Sequence, residues 1–236
     1  MPGLLFDQTR SNHIGTIDVD LALDQTIIQE IGYRSILQLL KSRNYTPGNQ
    51  PFVFFRTFSI ENQQITVEVD FLAGEYGGTS KNHRTQSVQD IHPRKARACD
   101  LAFENPIQLT IEGTLPDGGK DRASIKVASI VPFLMMKAQA LQSRLKEKDA
   151  YDIYYCLINF PGGVDALAES FQSFLENALV REGLAILSEK FSTVDSVGPV
   201  FISNFLNELD LETRISIQRD AYERVQYLLS LLRPEN

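Results

Sequence analysis

The sequence predicts an α+β protein: a mixed sheet with helices over residues 1–128, followed by an all-helical domain over residues 129–236. Two observations carry this. From residue 14 to about 128 the apolar residues alternate or run in short β-rich bursts, the period of strands with one buried face. From Val131 onward they follow helical period, punctuated by "FPGG" at 160–163 and "SVGP" at 196–199. A chain of 236 residues, 43% hydrophobic and 22% charged, has apolar material for one large domain or two small ones.

The predicted strands are "HIGTIDVDLAL", "PFVFFRTF", "QITVEVDFLAG", "PIQLTIEGTL" and "ASIKVAS". A helix is expected between the first two, over "QTIIQEIGYRSILQLLKSRN", with Asp24 available as its cap and Ile28, Ile31, Ile36, Leu39 and Leu40 near one face. "EYGGTSKNHRTQ" reads as a polar loop after a strand, and "LPDGGK" as a hairpin turn. Pro132 fits the first turn of a helix over "PFLMMKAQALQSR", in which Met135 and Met136 fill core space. A further helix opens near Asp149, where an acid complements the N-terminal dipole.

Several function classes drop out. Lys and Arg number 23 against 30 Asp and Glu, a net charge of -7, which argues against coating nucleic acid through bulk charge. Cys99 and Cys156 lack CxxC or metal-ligand spacing and read as reduced thiols. No apolar run approaches the roughly 18 residues that cross a bilayer, and "MPGLLFDQTR" lacks the pattern of a signal peptide, so a cytoplasmic protein without membrane contact is expected. His13, His83 and His92 show no paired ligand spacing, and Walker A, GxSxG and GxGxxG motifs are absent. The basic cluster "HPRKARA", residues 92–98, reads as a solvated turn ahead of a guide for RNA phosphates.

The chemistry concentrates in acids. In the strand "GTIDVDLAL", Asp18 and Asp20 share one face, their Cα atoms roughly 6–7 Å apart, while Ile17, Val19 and Leu21 are expected to point into a core. Glu68 and Asp70 share a face in "VEVDFLAG" in the same way. If the two strands pair, three or four carboxylates converge, an arrangement that cations relieve. Hard oxygen ligands suit Mg²⁺, and two such ions serve phosphoryl or nucleotidyl transfer. A solvated sheet face with alternating acids fits the same letters. Lys137 and Arg144, seven residues apart, fall on one helix face and can reach one anion, while Asp149 and Asp152 are i,i+3 neighbours. A solvated face with ordinary ion pairs is the usual reading of such charge-rich helices.

Together, "GTIDVDLAL", "VEVDFLAG" and "KAQALQSRLKEKDAYDIYYCLINFPGG" resemble the AbiEii/AbiGii-type abortive-infection toxin nucleotidyltransferases, within the DNA polymerase β-like superfamily, over about residues 10–163. The resemblance implies a nucleotidyltransferase-like first domain, with the active site in a cleft between the two domains. It implies Asp18, Asp20 and Asp70 as metal-holding catalytic acids, with Glu68 in reserve for the third. Lys137, Arg144, Lys148, Asp149 and Asp152 match the family's K…R…KD..D stretch, which contributes to the nucleotide site. The implied reaction is Mg²⁺-dependent (or Mn²⁺-dependent) transfer of a nucleoside monophosphate from an NTP to a hydroxyl of RNA, such as tRNA, or of protein. The setting is a toxin–antitoxin or phage-defence system with a cognate antitoxin as partner. The family's Gly-Gly or Gly-Ser turn upstream of the D-x-D is missing here, where Gly3 stands alone, and "GGTS" at 77–80 follows the third acid. A shortened version of a longer protein, or a degenerate nucleotide-binding or interaction protein, is therefore the alternative expectation, and weak transfer by this chain follows from it.

Overall fold

The computed structural model describes residues 13–14, 18–24, 35–60, 63–75, 90–115 and 118–233. They divide into a sheet unit within residues 15–128 and a helical unit from Ser129 onward, with which His13 and Ile14 group. The class is α+β.

In the sheet unit the strands are β1 (Asp18–Ala22), β2 (Thr46–Pro47), β3 (Val53–Ile60), β4 (Gln63–Ala73) and β5 (Arg94–Lys95), and β6 (Ile107–Thr114) pairs β7 (Lys120–Val127) in a separate antiparallel ribbon. The main sheet has the order β1-β4-β3-β2. It is mixed: β4 runs parallel to β1 and β5 and antiparallel to β3. Leu72 pairs with both Ala22 and Arg94, so β5 takes the edge of β4 opposite β1, which β3 vacates beyond Asp70. Alternation along β4 sends Val67, Val69 and Phe71 into a core with Leu40, Phe54 and Ile91, and leaves Glu68 and Asp70 on the other face.

Three expectations need correction here. Val19 and Leu21 point to the same side as their ladder partners Val69 and Phe71 but are 45% and 42% exposed instead of buried, β1 lying at the edge of the sheet among the described residues; Ile17 lies outside the described residues. The helix expected over residues 25–44 does not run unbroken. Ser35 has ψ 129 and caps α1 (Ile36–Ser42) by accepting from the Gln38 N–H, while Asp24 follows β1 and residues 25–34 lie outside the described set. The basic cluster is no solvated turn, since Arg94 and Lys95 form β5 and Pro93 and Ala98 are buried. Most of "EYGGTSKNHRTQ", including "GGTS", and the Pro116–Asp117 pair of "LPDGGK" lie outside the described residues.

The helical unit contains α2 (Ile130–Arg144), α3 (Glu147–Asn159), α4 (Gly163–Phe171), α5 (Ala178–Lys190), α6 (Val197–Phe205) and α7 (Leu211–Leu231). Helix α2 packs on α3 and α5, α3 on α6, and α6 on α7. Leu134, Met135, Leu141, Ile153, Leu167, Phe171, Leu187, Ile202 and Leu228 fill the interior. Pro132 occupies the first turn of α2, where its missing N–H has no helical partner to lose. Cys99 and Cys156 are free and buried; burial raises both thiols, that of Cys99 to about 12. Among the described residues no helix is long and apolar enough to cross a membrane.

Candidate functional site

Parallel pairing of β1 with β4 sets Asp18 opposite Glu68 and Asp20 opposite Asp70. Register partners in a parallel pair point to the same side, with strands roughly 4.8 Å apart, so four carboxylates occupy one face of the sheet. Burial first, and then Asp20, raise the Asp70 carboxyl above its ordinary value; Glu68 and Asp18 add to this and Arg94 opposes it. Asp70 Oδ1 is buried without a hydrogen-bond partner among the described residues.

Arg94, from the cluster read in sequence as a turn, belongs to this face. Its Leu72 pairing puts it beside the acids, its Nη2 lies 3.9 Å from Asp20 Oδ1, and its guanidinium sits over the Phe52 ring at 5.9 Å. The Arg94 Nε is buried without a partner among the described residues. Gly74, one residue past β4, abuts the Asp100 carboxylate so closely that a Cβ would overlap it. Asp100 and Asp20 both raise the Cys99 thiol, which places a fifth acid near the group.

Among the described residues no group of three or more His, Cys, Asp or Glu is arranged to hold a metal ion. Mg²⁺, however, is held by one or two carboxylates, with water and substrate phosphates completing its octahedron. Asp20 and Asp70, adjacent across one ladder, fit that smaller requirement, and the orphaned Asp70 oxygen is the kind of buried lone pair a cation satisfies.

The other sequence-predicted residues form a network inside the helical unit. Helix α2 ends on Leu145 in the left-handed region at φ 49, and α3 begins two residues later, so the chain folds back at once. That turn lays Arg144 against Asp149, with Nε–H donating to Oδ2 and Nη2 to Oδ1, each at 2.7 Å. Lys137 Nζ lies 3.1 Å from Asp149 Oδ1 and 2.6 Å from Asp152 Oδ2. Lys148 donates to Asp152 across one turn of α3. Lys137 and Arg144 thus meet on one anion, the chain's own Asp149.

Both carboxylates are 1% exposed. Burial opposes charge on Lys137, but Asp152 and Asp149 outweigh it and raise its pKa. Burial likewise opposes charge on Asp152, and Lys137, Lys148 and His13 outweigh that, lowering its pKa.

His13 is the member that residue spacing missed. Its Nε2 lies 2.9 Å from Asp152 Oδ1, and an ionised carboxylate only accepts, so Nε2–H donates. The ring stands edge-on to Tyr155 at 4.6 Å, and the Ile14 N–H donates to the Tyr151 hydroxyl. Burial lowers the His13 pKa in spite of Asp152, so the imidazole is neutral near pH 7. Lys137, Arg144 and Lys148 thus surround the two carboxylates, and the side chains of Arg144 and Lys148 are about one-third exposed. Nothing in the spacing of a lone histidine 139 positions from Asp152 points to this contact.

No protein-family model, curated protein or solved structure matches the chain.

Proposed function

We propose that this chain is a nucleotidyltransferase of the AbiEii/AbiGii type, transferring a nucleoside monophosphate from an NTP to an RNA or protein hydroxyl in the cytoplasm, with an antitoxin as its partner in a toxin–antitoxin or phage-defence pair. The observation that carries the reading is the β1–β4 register, which aligns Asp18 with Glu68 and Asp20 with Asp70 on one face. A D-x-D strand beside a second acid-bearing strand is the arrangement that the resemblance implies.

Asp20 and Asp70 would hold Mg²⁺, with Asp18 on the same face two residues along β1, and the ion when bound supplies charge neutralisation at the phosphates and activation of the attacking oxygen. The chain's own contributions are rigidity and charge. The Val69 and Phe71 side of β4 is locked in the core, so Asp70 is held in place by packing. Asp70, level with Asp20 across the ladder, would both hold the ion and help activate the acceptor hydroxyl. Arg144 and Lys148 are among the cations that the resemblance assigns to the nucleotide's phosphates, and their side chains are about one-third exposed.

A degenerate nucleotide-binding or interaction protein is the second reading. Arg94 favours it, because a covalently fixed cation already stands beside Asp20. Incorporation of labelled NTPs into total RNA and into protein separates the two. Transfer that Asp18→Asn and Asp70→Asn abolish supports the enzyme. Saturable NTP binding without transfer, unchanged in both variants, supports the binding protein.

A further inference from the structure

Arg94 and the acids beside it form an ion pair that is close but not closed. The 3.9 Å between Arg94 Nη2 and Asp20 Oδ1 exceeds hydrogen-bond length, and on the same face Arg94 Nε and Asp70 Oδ1 are each buried without a partner among the described residues. Buried groups of opposite character normally find one another. Here the guanidinium instead rests near the Phe52 ring, a neutral seat that holds a cation without consuming its donors. Its side chain is 29% exposed, so it can turn outward.

We infer that Arg94 is a displaceable counter-cation, neutralising the Asp20–Asp70 pair in the metal-free protein and moving aside when a divalent cation takes its place. The inference rests on the reading of Asp20 and Asp70 as the metal-holding pair. Without a cation, like charges on adjacent strands repel, and the fixed guanidinium offsets that repulsion. The same charge opposes entry of a second cation, so the protein's own arginine weakens metal binding and sets the concentration at which the site fills.

The test is Mn²⁺ titration, by calorimetry and water-proton relaxation, of the wild-type chain, Arg94→Gln, Arg94→Lys and Asp20→Asn, without nucleotide. Arg94→Gln should bind Mn²⁺ tighter by at least about fivefold, the factor one unit charge at about 4 Å carries even at the dielectric of water. Arg94→Lys keeps the charge and should stay near wild type, and Asp20→Asn should lose the binding. Equal or weaker binding by Arg94→Gln, with Asp20→Asn still defective, overturns the role of Arg94 and leaves the metal site standing. Absence of Mn²⁺ binding in both wild type and Arg94→Gln overturns the metal site as well. A second readout needs no variant that could misfold: in the wild-type chain, the Arg94 Nε–H NMR resonance should shift on saturation with Mg²⁺. An unmoved resonance under saturating Mg²⁺ overturns the displacement.

Discussion

Lys137 Nζ lies 2.6 Å from Asp152 Oδ2, joining α2 to α3 through a carboxylate that is 1% exposed. Removing one partner of a buried pair typically costs about 3–5 kcal/mol, and less where, as here, Lys137 keeps Asp149 at 3.1 Å. Asp152→Asn should therefore destabilise the chain by roughly 1–3 kcal/mol, since Lys137, Lys148 and His13 all turn toward that carboxylate while Lys137 keeps Asp149 and Lys148 reaches water. Urea unfolding measures it. A loss under about 0.5 kcal/mol would show that the network behaves as an exposed one.

His13 makes stability depend on pH in a defined direction. Its folded pKa lies below the ordinary 6.5, burial being the larger cause and the Asp152 hydrogen bond opposing it. Below pH 6.5 the unfolded chain therefore binds a proton that the folded chain refuses, so stability falls as pH drops from 6.5 toward the folded pKa. Asp152 works in a separate window. Its folded pKa is below 3.8, so its contribution is present above that value and is lost as pH falls through the folded pKa. Unfolding midpoints at pH 7.5 and 5.5 should differ more for the wild type than for His13→Gln; equal differences would place the dependence on another group.

Gly74 tests the packing that supports the acidic face. A Cβ there overlaps the Asp100 carboxylate, so Gly74→Ala should cost roughly 1–3 kcal/mol, the range for overpacking a filled site. Adding Asp100→Ala removes the obstacle and should recover most of the loss. A double-mutant cycle in thermal unfolding with no coupling between the two positions would show that the loss arises elsewhere.

Periodicity alone determined the α+β class, because alternation and helical period are local properties of a chain. Val67, Val69 and Phe71 alternate with Glu68 and Asp70, so which β4 residues share a face was readable from letters. So was the charge-bearing turn between α2 and α3, since Arg144 and Asp149 are five positions apart. What no local pattern contains is which strand lies beside which. That β1 runs parallel to β4, with Asp20 level with Asp70, is a long-range pairing decided by tertiary packing. How far a face is covered is also a tertiary matter: among the described residues β1 lies at the sheet edge, and Val19 and Leu21 stay exposed although they point to the side of Val69 and Phe71. Arg94 and His13 show the same limit: each meets its acid across 74 and 139 positions respectively, by ladder and burial, and in sequence each is one polar residue among others.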